Sequence, residues 1–276
     1  MKGATQKDIE HHYDVSNIFF KKWLDSSMAY SAAKFDKDDE TLHQAQINKI
    51  NDHINNLMVT KGDRILDIGC GWGSLLDVAS ERGIIGHGLT LSSNQVEYVE
   101  NKNKPGITIE LNDWRTVNFD KPFDGVVSIG AFEHFTMPDI SSEERIAIYR
   151  EFFKKTASFI KDGGYLSLQT ICFDKMREQD IKSFIKESIF PNSMLPRIQE
   201  IFAASDRIFT VKKMTNTAKD YDLTCEIWAN NMLAKKDEII EIVGEKIYND
   251  YFSYLQMSSK AFRYKGFGLL RIQFQK

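Results

Sequence analysis

The sequence predicts one α/β domain built on a doubly wound, mostly parallel β-sheet, and three observations support that fold class. Short apolar runs alternate with helical patterns across residues 61–172, as in consecutive βαβ units. A glycine-rich turn follows the first of these runs. The chain of 276 residues has only 5 prolines and no Gly- or Pro-rich linker, so we expect residues 1–276 to form a single domain.

The first 60 residues are predicted to form a helical N-terminal cover. Ile47, Ile50, Ile54 and Leu57 recur at spacings of three and four, which is the period of one helix face. Residues 61–172 are the predicted core, with helices at 92–101 and 142–160. Its strands are expected at 64–68, 85–90, 107–111, 125–129 and 165–170. Right-handed crossovers would place ligands at the carboxyl ends of these strands.

The C-terminal third is expected to be a helical substrate cover followed by a last strand. Residues 173–262 show mainly helical patterns, including one from Ile239 to Tyr251. Residues 263–276 end in an alternating pattern, which predicts a terminal strand that forms an edge hairpin with residues 209–213. The cover carries many apolar side chains, which either line a chamber for a hydrophobic ligand or form ordinary core: Met176, Phe184, Ile189, Phe190, Met194, Leu195, Ile198 and Phe202.

Composition argues against several classes of protein. The 36 Lys and Arg residues and 39 Asp and Glu residues give a net charge of −3, without the basic surplus of nucleic-acid-binding proteins. No apolar run reaches membrane-spanning length, no apolar leader opens the sequence, and the mean hydropathy is −0.38, so we expect a cytoplasmic protein. Three scattered cysteines and the isolated pair His11-His12 predict neither a disulfide framework nor a metal site.

The end of the chain leaves two questions about partners open. Five basic residues and no acidic residue lie between Lys260 and Lys276. This stretch is either a surface for transient contact with anionic lipid headgroups or an ordinary solvated edge. A homodimer also remains open.

The glycine turn carries the strongest local signal of a ligand. The predicted strand at 64–68 leads into Gly69, Gly71 and Gly73 and then into a helix, and such glycines let a ligand approach bare backbone. The dinucleotide fingerprint expects another glycine or alanine where this chain has Ser74. The turn therefore favours a smaller zwitterionic group, such as the methionine end of S-adenosylmethionine, over a pyrophosphate. Asp67 would offset the ammonium and sulfonium charges of that ligand, or it is a helix cap.

Polar groups also follow the next two predicted strands. The second strand lacks the carboxylate that usually holds a ribose, but Thr90 and Gln95 can hydrogen-bond to its hydroxyl groups. Asp113 and Trp114 follow the third strand and can contact an adenine by hydrogen bond and by stacking. Candidate ligand groups thus stand at three successive strand ends.

These motifs, taken together, resemble the cyclopropane fatty acid synthase family, which includes the mycolic acid cyclopropane synthases. The resemblance spans nearly the whole chain and is carried by residues 12–17, 28–31, 66–73, 90–95, 128–135, 189–191 and 195–196, with Tyr221 and Trp228. It implies a Rossmann-like class I methyltransferase fold whose seven-stranded sheet has an antiparallel C-terminal edge. It also implies that Tyr30, Ser31, Leu91 and Ile129 join the residues above in binding S-adenosylmethionine.

The resemblance further implies a reaction. Members transfer the methyl group of S-adenosylmethionine to a double-bond carbon of an unsaturated acyl chain, and a carbocation then yields a cyclopropane or a methyl branch. Bicarbonate is thought to be the base, held by residues that correspond here to Glu133 and Tyr221. The family's histidine after the fifth strand is Gln169, and a family cysteine is Ala32. Because glutamine cannot take up a proton, these departures bear on ring closure more than on methyl transfer.

Two other functions remain open at this level. A natural-product C- or N-methyltransferase acting on a small hydrophobic metabolite is favoured by Ala32 and Gln169, because such a reaction needs no bicarbonate. The second open function is that of a scaffold, which binds the cofactor without transferring its methyl group. Structural roles, as a helix cap for Glu133 and in core packing for Tyr221, are the corresponding alternatives for those residues.

Overall fold

A computed structural model describes residues 17–177 and 193–276 of the chain. Its helices are α1 (Asn17–Trp23), α2 (Leu42–Asn56), α3 (Ser74–Glu81), α4 (Ser93–Glu100), α5 (Ser142–Phe159), α6 (Ile198–Ser205), α7 (Ala218–Ala234) and α8 (Lys236–Arg263). Its strands are β1 (Arg64–Ile68), β2 (Ile85–Thr90), β3 (Ile107–Leu111), β4 (Phe123–Ile129), β5 (Ile160–Phe173), β6 (Thr210–Asn216) and β7 (Phe267–Gln275). Within these residues, no helix is both long and apolar enough to cross a membrane.

The seven strands form one sheet in the order β3-β2-β1-β4-β5-β7-β6. The first five pair in parallel, and β7 pairs antiparallel with both β5 and β6. The predicted mostly parallel sheet with an antiparallel C-terminal edge is therefore confirmed. The last strand of the chain lies inside the sheet, and β6 forms the edge.

Three apolar clusters hold the helices to the sheet. One lies between α5 and the sheet and includes Phe152 and Phe274, and another places α2 and α3 on the opposite face. The third is an aromatic cluster of α1, α7 and α8 that reaches Phe173, the last residue of β5. This third cluster therefore sits near the carboxyl ends of the parallel strands.

The two predicted covers are only partly covers. The Ile50 and Ile54 side chains of α2 pack with Ile65 of β1, so this part of the helix belongs to a face of the sheet. Its first turn, with Leu42 and Ala45, joins the aromatic cluster together with α1. Residues 173–262 include β6 and also α6, which packs against α5. The reason is that the buried side chain of Ile201 completes the α5 cluster. The expected apolar residue Ile198 packs there as well, away from the aromatic cluster.

Three of the five basic residues near the C-terminus form ion pairs with acidic side chains. Arg271 is buried and its guanidinium lies 2.8 Å from the Asp220 carboxylate. Arg263 pairs with Asp222, and Lys276 pairs with Asp162 at 3.0 Å. These three cations therefore belong to separate ion pairs, and contact of the stretch with anionic lipid headgroups stays a prediction.

Candidate active site

A cavity opens at the carboxyl ends of the parallel strands, beside the turn after β1. Its empty volume, including its open mouth, is about 1100 Å³. Nearly all the predicted cofactor residues line it, namely Tyr30, Ser31, Asp67, Gly69, Gly71, Thr90, Leu91, Gln95, Asp113, Trp114 and Ile129. Parallel strands bring these residues together because their carboxyl ends meet at one edge of the sheet.

The glycines of the turn differ in what surrounds them. Gly69 has φ +81°, and a Cβ there would lie 2.6 Å from the Ala131 side chain. The glycine turn and the loop after β4 can therefore approach each other this closely only because Gly69 has no side chain. Gly71 has φ +55° and lines the cavity, with nothing within 4 Å of where a Cβ would stand. Gly73 precedes α3 and would clash with Val99, and it does not line the cavity. Of the three glycines in the turn, Gly69 and Gly71 therefore line the cavity and can offer their backbone to a ligand, whereas Gly73 does not.

The β2 end holds two polar groups in a fixed arrangement. The Thr90 hydroxyl donates to Gln95 Oε1 at 2.6 Å, and both side chains are buried. The backbone N–H of Ser92 donates to the Thr90 hydroxyl, and Ser92 caps α4. This leaves the amide nitrogen of Gln95 as the donor that can face a ribose hydroxyl.

The β3 end forms a flat, charged wall. Trp114 is 5% exposed and packs against Phe135, with ring centroids 5.1 Å apart. The Arg115 guanidinium lies 4.5 Å from the Trp114 ring and pairs with Asp113 at 3.1 Å. Arg115 also lines the cavity, although the sequence analysis did not single it out. The arrangement suits an aromatic base bound between planar groups.

Two oppositely charged side chains are buried beside the glycine turn. Asp67 at the end of β1 is 3% exposed, and burial raises the pKa of its carboxyl group to about 7. Lys49 of α2 is 1% exposed, and burial lowers the pKa of its ammonium group to about 7. Lys49 Nζ donates to Ser31 Oγ at 2.7 Å and to Gln46 Oε1 at 2.6 Å. Sequence reasoning missed Lys49; the available signal was a lysine beside Ile50 on an apolar helix face.

Glu133 lies behind the cavity, in the single helical turn after β4. Its side chain is buried, and Oε1 accepts the backbone N–H of Ile171 at 2.5 Å. Oε2 is also buried and has no hydrogen-bond partner among the described residues. Burial raises the pKa of this carboxyl group to about 7. Its neighbours Ala131 and His134 line the cavity, whereas Glu133 does not.

Gln169 is part of a buried polar network and does not line the cavity either. Its Oε1 accepts from Arg271 Nε at 2.8 Å, and its Nε2 donates to the Ala32 carbonyl at 3.5 Å. Arg271 donates in turn to the Ala33 carbonyl at 2.7 Å. Gln169 pairs with Ile129 in the sheet, so it lies beside a residue of the cavity wall. The network ties the strand ends to the segment that carries Tyr30 and Ser31.

Tyr221 belongs to the aromatic cluster. It is buried on α7 and stacks on Phe262, with ring centroids 4.6 Å apart. Its ring lies 6.3 Å from that of Trp228, which is 5.3 Å from the ring of Tyr30 on the cavity wall. The three predicted catalytic residues are therefore buried around the cavity, but they do not line it together.

Known proteins share this arrangement over nearly the whole chain. The sequence profile of the family described as "Mycolic acid cyclopropane synthetase" matches residues 2–272. The chain belongs to the mycolic acid cyclopropane synthase family. It is an S-adenosylmethionine-dependent methyltransferase with the Rossmann-like fold of that family.

Individual members are similar in sequence and in fold. The S-adenosylmethionine-dependent methyltransferase UmaA of Mycobacterium tuberculosis is 37% identical over 270 residues, which cover 91% of each chain. Cyclopropane mycolic acid synthase 2 of Mycobacterium bovis is 36% identical, over 93% of this chain and 90% of its own length. The crystal structure of mycolic acid cyclopropane synthase CmaA1 complexed with SAH and CTAB superposes with a TM-score of 0.89, at 31% identity over 99% of both chains.

Some parts of the predicted resemblance lie outside the described residues. These are the motifs at 12–16 and 189–191, together with the apolar residues Phe184, Ile189 and Phe190. Among the other predicted chamber residues, Met176, Met194 and Leu195 pack in the aromatic cluster.

Proposed function

We propose that this enzyme transfers the methyl group of S-adenosylmethionine to a double-bond carbon of an unsaturated acyl chain, giving a cyclopropane or a methyl branch through a carbocation. The observation that carries the proposal is a cavity at the glycine turn whose Tyr30 wall is continuous with a buried aromatic cluster. The relatives named as mycolic acid synthases support an acyl substrate.

The cavity residues fit the cofactor. Gly71 leaves open space at the glycine turn, Asp67 offers a carboxyl group to an ammonium, and Gln95 offers an amide to a ribose. When bound, the sulfonium supplies an electrophilic methyl group, so the protein has mainly to position the substrate. The aromatic side chains of Tyr30, Trp228 and Tyr221 would exclude water, which would otherwise capture a carbocation, and present ring faces to positive charge.

Glu133 is the group we propose for holding the base of ring closure. Its buried, unpartnered Oε2 is an orphaned polar atom of the kind that a small polar ligand satisfies. Bicarbonate fits that atom, and when bound it would supply a proton acceptor. Gln169 already bonds Arg271 and Ala32, so we assign it to positioning the segment of Tyr30 and Ser31.

The test is a product analysis with the purified enzyme. S-adenosylmethionine carrying a labelled methyl group is incubated with lipids that contain mono-unsaturated acyl chains, and with matched lipids whose chains are saturated. We expect a net gain of one CH2 unit in the unsaturated chains only, because the methylated carbocation loses a proton whether it forms a cyclopropane or a methyl-branched alkene, together with release of S-adenosylhomocysteine. Turnover on a small amine or terpenoid without any gain on lipid would favour a natural-product methyltransferase. No release of S-adenosylhomocysteine with any substrate would favour a scaffold.

A further inference from the structure

Lys49 is buried, and the contacts within the described protein do not by themselves explain why a cation lies there. An ammonium group has three N–H donors, and at 1% exposure it has lost nearly all contact with water. Among the described residues its two acceptors, Ser31 Oγ and Gln46 Oε1, are both neutral. Among the described residues it forms no ion pair with a carboxylate. A buried cation of this kind is costly unless an anion completes its surroundings.

The cavity contains a place for that anion. The described charged side chains along its wall are Lys49 and Asp67 at the glycine turn and Asp113 and Arg115 at the β3 end. Asp113 and Arg115 pair with each other at 3.1 Å, so Lys49 is the lining cation that lacks a carboxylate partner. Ser31, which accepts from Lys49, lines the cavity as well.

We propose that Lys49, together with the Ser31 hydroxyl group, binds the carboxylate of the methionine part of S-adenosylmethionine. The inference rests on the glycine-turn end of the cavity holding that part of the cofactor, as the proposed function requires. The methionine end is zwitterionic, and Lys49 and Asp67 provide one charge of each sign on the same wall. Lys49 therefore selects cofactors that carry the carboxylate.

A purely structural role for Lys49 makes a different prediction. Lys49 links α2 to the segment of Ser31, but Gln46 does so too, because its Nε2 donates to the Ala29 carbonyl at 3.2 Å and to the Ser31 carbonyl at 2.9 Å. If Lys49 were only such a link, its loss would resemble the loss of Gln46. Gln46→Leu is thus a control that loosens the same segment and removes one acceptor of Lys49, but keeps the ammonium group and its contact with Ser31.

The experiment compares two ligands that differ by one group. Binding of S-adenosylhomocysteine and of its decarboxylated analogue is measured by calorimetry for the wild type, Lys49→Met and Gln46→Leu. We expect Lys49→Met to lose at least about 30-fold in affinity for S-adenosylhomocysteine, the loss typical when one partner of a buried charge pair is removed. Its affinity for the analogue should change by less than about 3-fold. Gln46→Leu should weaken both ligands by the same factor, and equal losses in Lys49→Met would overturn the proposal.

A second measurement needs only the wild-type protein, so it decides the matter even if Lys49→Met does not fold. The groups that act on Lys49 are Arg271, which lowers its pKa, and Asp25 and Asp67, which raise it. Since the pKa of Lys49 is about 7 without ligand, a bound carboxylate should draw a proton onto it at about pH 7.5. Calorimetry in buffers of different ionisation enthalpy should show more proton uptake with S-adenosylhomocysteine than with the analogue, whose ammonium faces Asp67 equally. Equal uptake would contradict the proposal. Neither measurement uses an acyl substrate, so a negative result in the lipid assay would not affect the outcome of these two tests.

Discussion

The cofactor end and the aromatic end of the site are built in different ways. Around the cofactor cavity, most residues end a strand or follow it by a few positions, as Gly71 follows β1 and Gln95 follows β2. The aromatic end is assembled from distant elements, because α1, α7, α8 and the end of β5 all contribute to one cluster. The arrangement at the cofactor end suits a single, unchanging ligand that contacts the backbone. The aromatic end can accept different hydrophobic substrates through changes in a few side chains, while the cofactor site stays the same.

The largest effect that separates the two ends should come from Gly71→Leu. A side chain at this position would enter the cavity, so we expect affinity for S-adenosylhomocysteine to fall by about 1000-fold, roughly 4 kcal/mol. Gly62→Leu is the matched control, because Gly62 also has a positive φ and open space around its Cβ but does not line the cavity. Both variants carry backbone strain of about 1–2 kcal/mol, which thermal unfolding would report. Equal affinities in the two variants would show that the glycine turn does not contact the cofactor.

The buried carboxyl group of Glu133 should make stability depend on pH. Burial raises its pKa to about 7, above that of the unfolded chain, so its contribution is fully present below about pH 4.5 and is lost as the pH rises through about 7. We expect the unfolding free energy of the wild type to fall, relative to Glu133→Gln, by up to about 3 kcal/mol between about pH 4.5 and pH 8. Urea unfolding at several pH values measures the difference. Parallel curves would show that Glu133 ionises as readily in the folded protein as in the unfolded chain.

Turnover should show the complementary effect of the same substitution. A glutamine keeps an oxygen for the Ile171 N–H but removes the ionisable group, so we expect about a 100-fold loss of turnover. Affinity for S-adenosylhomocysteine should stay within about 3-fold, because Glu133 does not line the cavity. Glu151→Gln, at an exposed position on α5, is the control. Normal turnover in Glu133→Gln would remove this residue from the mechanism.

Local sequence sufficed for the part of the cofactor end whose residues belong to single strand–turn–helix units. It predicted β1, β2 and β3 with their observed bounds, but it placed the start of β5 at 165 instead of Ile160. Gly163 and Gly164 resemble a break, yet the strand continues through them because Ile160 pairs with Phe123.

Long-range contacts, in contrast, were beyond local reasoning. Gln169 bonds Arg271, which is 102 residues away, and no local pattern marks that pair. Lys49 is one of the two charged residues on α2, with Asp52, and only the packing of the helix against the sheet buries it. The position of β7 between β5 and β6 also depends on pairing across the helices α7 and α8. The sequence can thus place residues that follow strands, whereas residues that meet through packing need the folded chain.

The smallest effect we expect is confined to the cofactor end and comes from Thr90→Val. Valine keeps the shape of threonine but removes the hydroxyl that donates to Gln95 Oε1 at 2.6 Å, so the Gln95 amide loses its fixed orientation. One hydrogen bond of this kind contributes about 1 kcal/mol, which corresponds to about a 5-fold loss of affinity for S-adenosylhomocysteine. Thr108→Val removes a similar hydroxyl from the exposed contact with His87 on β2 and should leave that affinity unchanged. If both variants bound as the wild type does, Gln95 would not be a ribose ligand, and the cofactor end would depend on the backbone of its glycine turn more than on side chains.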